Sequence, residues 1–386
     1  MGLAKIKTAL QDMYDMYLLM RARATEKRKF RDPRRVEIWA EYELSKDQCK
    51  KIDTLYLENY GKKIPYIWHR HFSMFTGKFD VTYFPELLYV PEFERFMNDS
   101  SIAEALSDKN LLPLIANSLG IKMPNHIVSR VRGIYHDSSM NLISENEAIR
   151  LLENSGTVFA KPSIDTSSGE KCVRLCIKNG VVRNSEYELK TILEGLGQDF
   201  CIQQCVICHE SIRKIYAGCV NTFRVITYIW KNEVCTMPVI MRIGMGGAVV
   251  DNAHAGGMFI AVSDDGILHE KAFTEFKKEY EYHPDTGLIF KDYRIYGFKE
   301  ILFAAKRMHG ALNQLGVINW DFTIDEGGNP VLIEANINGG SIWMIEMAHG
   351  IGCFGERTPE ILRWMQLMKH IPKSQRRAYL YGKMHG

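Results

Sequence analysis

The chain lacks the long apolar runs of a membrane protein, since no stretch of about 18 consecutive apolar residues occurs in it. It also lacks a strong net charge, with a formal value of +3 at pH 7. Dedicated nucleic-acid binders concentrate more positive charge than this, so we expect no nucleic-acid partner. The start, MGLAKIKTAL, has no apolar core of a secretion signal. With nine cysteines, an odd number, we expect reduced thiols and a cytoplasmic protein.

The charged residues are distributed unevenly along the chain. Residues 21–35, RARATEKRKFRDPRR, hold eight lysines and arginines against Glu26 and Asp32. One interpretation is a solvated helix end, and the other is contact with an anionic membrane surface or a phosphorylated glycan precursor. The length of 386 residues and the 46% of hydrophobic residues indicate a globular protein of two or three domains.

Hydrophobic periodicity and capping signals predict the local structure. The helices are expected over residues 3–25, 45–60, 101–119, 144–154, 185–196, 298–315 and 358–369. A hairpin is expected over residues 173–183, on an Asn179-Gly180 turn. The strand, loop, hairpin and helices over residues 144–196 together predict a small α+β unit, while residues 61–99 have no clear pattern.

The run FCIQQCVICHE, residues 200–210, places three cysteines at C-x-x-x-C-x-x-C spacing. This spacing resembles the cluster-binding triad of radical S-adenosylmethionine enzymes. The run is also apolar and β-branched enough to be a strand, in which Cys201 and Cys205 lie on one face and Cys208 on the other. Because thiolate ligands must converge on a cluster, we favour the strand and keep the iron–sulfur enzyme as an alternative.

A second strand-like pair has a more specific chemistry. Residues 317–336, VINWDFTIDEGGNPVLIEAN, form two runs around a turn. If Asp325 opposes Pro330 across a four-residue loop, Asp321 lies directly opposite Glu334. Residues two apart on a strand project from the same face, so Asn336 would join them.

Two facing carboxylates destabilise a strand pair unless a cation lies between them. Carboxylate and amide oxygens are hard ligands that suit Mg²⁺, or Mn²⁺. The alternative is that Asp321 and Glu334 are ordinary exposed strand residues. The apolar residues beside Glu334 favour a buried strand, where an unpaired carboxylate is costly.

The order Asp321, Glu334, Asn336 resembles the metal-binding signature of the ATP-grasp superfamily, and D-alanine–D-alanine ligases have the same spacing. The resemblance implies an ATP-grasp fold, in which two α+β lobes sandwich ATP, here with a divergent and mostly helical N-terminal region. It implies ATP and Mg²⁺ (or Mn²⁺) as cofactors. The implied regions are an N-terminal region over 1–110, a small lobe over 111–203 and a large lobe over 204–386.

The same resemblance implies contacts to the ATP phosphates. Lys109, in an Asp-Lys pair, and Lys161, before a proline, would hold the phosphates as point charges. The polar loop after Lys161 would fold its backbone N–H groups over the triphosphate through Ser167, Ser168 and Gly169.

Further implied contacts lie at the hinge between the lobes. Gln204 matches the polar residue before the hinge, and Val206 would offer its backbone to the adenine edge. Glu210, or alternatively His209, would contact the ribose.

Several phrases narrow the resemblance to the sugar-transfer associated ATP-grasp proteins, which are encoded with polysaccharide biosynthesis genes. They include YGKKIPYIWHR, VNTFRVIT and RIGMGGAVVDNAHAGG. The implied function is an ATP-dependent carboxylate–amine ligase that forms an acyl phosphate and modifies a glycan or polysaccharide precursor with an amino acid, close to membrane-associated glycan machinery. The alternatives are a phosphotransferase to a sugar or amine, and a non-catalytic ATP-binding scaffold.

One position departs from the family pattern. The D-alanine–D-alanine ligases have an arginine two residues before the metal-binding aspartate, where this chain has Asn319, which we include among the candidate catalytic residues. Arg224 and Arg242 are the proposed substitutes that stabilise the transferring phosphoryl group, and surface ion pairs are their alternative role. The predicted substrate residues lie in two glycine-rich stretches, which could also be irregular turns: Asp251, Asn252, Gly256, Gly257, Asn338 and Gly340.

Overall fold

The computed structural model describes residues 2–106, 108–164 and 172–376. Its helices are α1 (Gly2–Lys29), α2 (Pro33–Ala40), α3 (Lys46–Tyr60), α4 (Ile67–Thr76), α5 (Glu86–Leu88), α6 (Arg95–Met97), α7 (Ser100–Leu106), α8 (Leu112–Ser118), α9 (Glu145–Leu152), α10 (Leu189–Leu196), α11 (Glu210–Arg213), α12 (Phe298–Ala311), α13 (Trp343–His349), α14 (Thr358–Met368) and α15 (Lys373–Arg376). A π-helix spans Tyr89–Glu94, and short 3₁₀ helices span Ala253–Ala255 and Gly355–Arg357. Within these residues, no helix has both the length and the apolar composition needed to cross a bilayer.

The strands form two antiparallel sheets within the described residues. They are β1 (His126–Val131), β2 (Ile134–Asp137), β3 (Leu142–Ile143), β4 (Gly156–Pro162), β5 (Val173–Lys178), β6 (Val181–Val182), β7 (Phe200–Gln204), β8 (Thr222–Trp230), β9 (Glu233–Thr236), β10 (Val239–Ile243), β11 (Met258–Val262), β12 (Leu268–Phe273), β13 (Glu279–Tyr280), β14 (Val317–Ile324) and β15 (Pro330–Asn336). The α+β prediction is therefore confirmed.

The smaller sheet has the strand order β3-β2-β1-β7-β4-β5-β6. Helices α9 and α10 cover it, and Val128, Leu152, Leu193 and Phe200 belong to its buried core. The predicted capping box at Ser144 starts α9, since its hydroxyl accepts from the backbone N–H of the third helical residue. The predicted helix over 185–196 is shorter, because α10 begins only at Leu189.

The larger sheet has the order β13-β12-β11-β10-β8-β14-β15, with β9 paired to β8. Helix α12 packs on one face, over a core that includes Trp320. The other face packs against the N-terminal helices and α13 and α14, through a core that includes Trp68, Phe93 and Trp364. The N-terminal helices thus share a hydrophobic core with the larger sheet, so their packing contributes to the rigidity of its strands.

Two chain segments cross between the sheets and position the cleft. The backbone N–H of Leu332 donates to Lys122 O at 2.9 Å, just before β1. After β7, His209 N–H donates to Ile324 O at 2.8 Å, and Glu326 N–H donates to Ile207 O at 3.1 Å. The tip of the β14–β15 hairpin is therefore tied to both crossings, which places it beside the predicted hinge.

The N-terminal predictions have mixed outcomes. The helices over 3–25 and 45–60 are confirmed as α1 and α3, and Ser45 forms a complete capping box. The single helix over 101–119 is wrong, because α7 ends at Leu106 and α8 starts at Leu112. Between them, the Asp108 side chain accepts from Asn110 N–H, and Lys109 N–H donates to Ser163 O, directly after β4 of the smaller sheet.

Candidate functional site

A cleft of about 900 Å³ is lined by residues of both sheets. The smaller sheet contributes residues of β4, β5 and β7, and the larger sheet contributes residues of β8, β10, β14 and β15. The residues predicted from sequence that line it are Lys109, Lys161, Gln204, Val206, Arg224, Arg242, Asp251, Asn252, Asp321, Glu334, Asn336, Asn338 and Gly340. The three loop residues Ser167, Ser168 and Gly169 lie outside the described residues.

Asp321 and Glu334 lie directly opposite each other across β14 and β15. The predicted pairing is confirmed, but the predicted turn is wrong. Ile324, rather than Asp325, opposes Pro330, and one extra residue on β15 at Ile333 restores the pairing. A β-bulge of this kind re-aims side chains next to functional sites.

The Asp321 carboxylate is 1% exposed and is held by two guanidinium groups. Arg224 donates to both carboxylate oxygens, at 2.6 and 3.1 Å, and Arg242 lies 3.0 Å from Oδ2. Asn336 also donates from Nδ2, at 3.2 Å. Burial alone would raise the pKa of Asp321, but the two arginines outweigh it and hold the pKa below its ordinary value.

Glu334 is in a different environment. Its side chain is 33% exposed, and its nearest cationic partner, Lys109 Nζ, is 3.7 Å away. Two facing carboxylates and the Asn336 amide supply hard oxygen donors, and Asp321 is kept in the ionised form that coordinates a cation. This donor set fits a divalent cation such as Mg²⁺ that completes its coordination with phosphate and water.

The lining of the cleft is rich in positive charge. Among the described residues, six lysine and arginine side chains line it against three carboxylates. The cations are Lys109, Lys161, Arg174, Arg213, Arg224 and Arg242, and the carboxylates are Asp251, Asp321 and Glu334. Such a lining attracts a polyphosphate anion and opposes the entry of cationic ligands.

Asp251 belongs to the same ion-pair network as Asp321 on the β14–β15 hairpin, because Arg242 lies close to both carboxylates. It accepts from Thr222 N–H at 2.9 Å, and Arg242 lies 3.5 Å from its other oxygen. Burial raises the pKa of Asp251 above its ordinary value, against the attraction of Arg242. Asn252 starts the 3₁₀ turn by accepting from His254 N–H at 3.0 Å.

Gly256 and Gly257 do not line the cleft. Gly256 has a φ of 93°, a conformation that favours glycine. A Cβ at Gly257 would lie 2.8 Å from Asp251 O. These glycines shape the loop that carries Asp251, so the prediction that they contact a substrate is not supported by their position.

A buried glutamate accepts hydrogen bonds from the backbone of the loop that follows β15. Glu94, at the end of the π-helix, accepts from Gly339 N–H at 2.7 Å and from Gly340 N–H at 2.8 Å. Burial raises the pKa of Glu94 to about 8, although both N–H groups favour the ionised form. No sequence motif identifies Glu94, because it lies within residues 61–99, which have no clear pattern.

Asn319 does not line the cleft either. It is 2% exposed, and its amide atoms have no hydrogen-bond partner within the described part of the chain. A Cβ at Gly340 would overlap the Asn319 amide. Asn319 therefore packs against the backbone of the loop at Gly340. This buried position does not favour the predicted catalytic role.

Two of the three predicted hinge residues line the cleft, and the third does not. Gln204 and Val206 line the cleft, and Gln204 accepts from Asn125 Nδ2 at 3.1 Å. Glu210 does not line it, because its exposed carboxylate pairs with Lys214 at 2.7 Å on the outer side of α11.

The three cysteines of the hinge run occupy different local structures. Cys201 is buried in β7, Cys205 lies just after this strand, and the Cys208 thiol lies 3.4 Å from Thr323 Oγ1 of β14. Burial raises the pKa of all three thiols. Among the described residues, no three Cys, His or acidic side chains converge on one metal position. Protonated, separated thiols do not support the iron–sulfur alternative.

Two sheets that enclose a cation-lined cleft, with facing carboxylates on a hairpin at its edge, define the ATP-grasp fold. The chain belongs to the sugar-transfer associated ATP-grasp family, whose sequence profile matches residues 90–360. No curated protein matches the chain.

Two similar solved structures are ligases by their names. The L-amino acid ligase from Bacillus licheniformis is 14% identical over 70% of this chain and 50% of that chain, with a TM-score of 0.38. The VanG D-Ala:D-Ser ligase from Enterococcus faecalis is 13% identical over 69% of this chain and 63% of that chain, with a TM-score of 0.41. The match therefore spans about half the length of the first ligase.

Proposed function

We propose that the protein is an ATP-dependent carboxylate–amine ligase that works through an acyl phosphate. The observation that carries the proposal is the pair Asp321 and Glu334, facing each other at a cleft lined by lysines and arginines. Membership of the sugar-transfer associated ATP-grasp family supports it. The proposed substrate is a cytoplasmic glycan or cell-surface polysaccharide precursor, modified with an amino acid.

The chain's own residues supply the binding of ATP. Lys109 and Lys161 would hold the phosphates, while Asp321, Glu334 and Asn336 would hold Mg²⁺ or Mn²⁺. The cation, when bound, would neutralise the charge on the transferring phosphoryl group. Gln204 and Val206 line the cleft where the adenine would enter, although their contacts to the base stay predictions.

The chemistry proceeds in two displacements. An oxygen of the substrate carboxylate attacks the γ-phosphorus of ATP, and the bond to the leaving ADP oxygen breaks. The amine nitrogen then attacks the acyl carbon, a C–N bond forms, and phosphate leaves with the electron pair of the broken C–O bond. Arg224 and Arg242, at the cleft surface, would stabilise the negative charge of the transferring group.

The amine must lose a proton in the second displacement, and we propose His254 as the group that accepts it. His254 lines the cleft, and its Nδ1 lies 2.7 Å from Glu275. Arg35 holds the other Glu275 oxygen at 2.7 Å. In the neutral tautomer that donates from Nδ1 to Glu275, Nε2 carries a lone pair and can act as a general base.

The test is a product assay on the purified protein. ATP and Mg²⁺ are incubated with mixtures of amino acids and uronic acids, and ADP, phosphate and the coupled product are measured. A ligase yields equal amounts of all three. ADP with a stable phosphorylated product and no free phosphate would instead show a phosphotransferase, and ATP binding without turnover would show a scaffold.

A further inference from the structure

Helix α1 presents its apolar side chains to solvent. Seven of them are about half to two-thirds exposed: Ile6 58%, Leu10 59%, Met13 66%, Tyr14 63%, Met16 62%, Tyr17 49% and Met20 57%. At 3.6 residues per turn they cover an arc of about 160° around the helix axis. We call this set the outer face of α1. A stripe of this width exceeds the narrow seam of a two-stranded coiled coil.

The opposite side of α1, which packs on the protein, combines Leu19, which contacts the hydrophobic core, with buried charged groups. Asp15 is buried and pairs with Arg95 and Arg376, with nitrogen–oxygen distances of 2.5 and 2.8 Å. Arg23 pairs with Glu92 of the π-helix. An ordinary surface helix buries its apolar stripe and exposes its charges. In α1 most of the apolar side chains are exposed instead, so docking onto the protein does not explain the outer face.

The exposed charges on α1 have one sign. Lys7, Arg21, Lys27 and Arg28 are exposed, whereas the acidic side chains of the helix are buried or half-buried. A second copy of the chain packed on this face would bring cations close to cations, and their like charges would repel each other. An anionic lipid surface offers phosphate groups to the cations and an acyl boundary to the apolar arc.

We propose that α1 is an interfacial anchor that lies along an anionic membrane surface with its outer face inserted between the lipid headgroups. The helix has 28 residues, which gives about 42 Å of length along the surface. The proposal does not depend on the proposed ligase function. If both hold, α1 keeps the enzyme at the surface where lipid-linked glycan precursors are exposed.

The test is co-sedimentation of the full chain with vesicles. We expect binding to vesicles that contain phosphatidylglycerol, weakening at high salt, and little binding to pure phosphatidylcholine vesicles. Arg21→Gln with Arg28→Gln should weaken binding roughly thirtyfold, from two lost lipid-facing charges. Leu10→Gln with Met13→Gln should weaken it on anionic vesicles at any salt concentration.

The matched control replaces exposed apolar residues elsewhere. Ile289 and Phe303 are 67% and 64% exposed and lie outside α1. Ile289→Gln with Phe303→Gln should leave vesicle binding unchanged. All variants should keep the wild-type melting temperature, because the replaced side chains make few contacts within the protein.

Three results would overturn the proposal. Binding to neither kind of vesicle would remove the lipid partner. A wild-type dimer that Leu10→Gln with Met13→Gln converts to a monomer, measured by sedimentation velocity, would assign the outer face to a second copy. Vesicle binding that appears only after removal of residues 377–386 would show that the C-terminal segment covers this face.

Discussion

Asp321 and Glu334 face each other across one strand pair, yet only Asp321 is enclosed by arginines. Asp321 has ion pairs with Arg224 and Arg242, while Glu334 is a third exposed and lies 3.7 Å from Lys109. The two carboxylates therefore differ in what their removal does. We expect loss of Asp321 to unbalance a buried charge network, and loss of Glu334 to leave the fold intact.

Glu334→Gln should reduce ATP turnover at least about 100-fold, because a charged ligand for the cation at the phosphates is lost. Its melting temperature should stay close to that of the wild type. Glu326→Gln is the matched control, since Glu326 is a solvent-exposed carboxylate on the same hairpin. Steady-state ADP release measures both, and equal losses in the two variants would contradict the metal site.

Asp321→Asn should also lose turnover, but with a loss of stability of about 3–5 kcal/mol, as expected when one partner of a buried ion pair is removed. Urea unfolding of this variant and of Glu334→Gln checks the difference. If both variants unfold at the same urea concentration as the wild type, the arginines do not depend on Asp321 for charge balance.

Lys161→Met should weaken ATP binding about tenfold or more without lowering thermal stability. Lys161 is 6% exposed at the cleft, and no carboxylate among the described residues forms an ion pair with it. A desolvated ammonium group attracts phosphate strongly and stabilises the fold little when it is unbalanced. Titration calorimetry with ATP checks the affinity, and the exposed Lys178→Met is the control that should bind ATP normally.

His254→Gln should slow amine transfer by about 10²- to 10⁴-fold, the usual contribution of a general base. Hydroxylamine is a stronger nucleophile that needs less help with its proton, so hydroxamate formation should persist in this variant. Glu275→Gln should show the same split between the two acceptors. If hydroxamate formation falls as far as amine transfer, His254 acts before the second displacement and is not its base.

Glu94 should make stability depend on pH. The folded pKa of about 8 lies above the ordinary 4.5, so the folded state binds more protons than the unfolded state between these values. The contribution of Glu94 is therefore complete below about pH 4.5 and is lost as the pH rises through about 8. Urea unfolding at about pH 6 and about pH 8.5 should show this fall, and Glu94→Gln should reduce it.

The hairpin shows why part of the site could be predicted. Alternating side chains and a turn-rich centre require two paired strands, and the spacing of Asp321 and Glu334 allows them to face each other. The predicted register at the turn is wrong by one residue, because Ile324 rather than Asp325 opposes Pro330. The bulge at Ile333 shifts the register back, so Asp321 still opposes Glu334. A bulge depends on backbone conformation that no local residue pattern specifies.

The missed residues have a different cause. Glu94 acts through Gly339 and Gly340, which are far away in sequence, so no motif connects them. The spacing of Ile6, Leu10 and Met13 indicates that they share one face of a helix, but only the structure shows that this face points outward. Periodicity identifies a face without identifying its partner.

The central claim is most directly tested by trapping the acyl phosphate with hydroxylamine. Purified protein is supplied with ATP, Mg²⁺, hydroxylamine and a panel of amino acids and uronic acids, and hydroxamate, ADP and phosphate are quantified. A carboxylate–amine ligase with the proposed site yields hydroxamate with one ADP and one phosphate, abolished by chelation of Mg²⁺ and by Glu334→Gln but not by Glu326→Gln. ADP without hydroxamate for every carboxylate, or hydroxamate that survives Glu334→Gln, would contradict it.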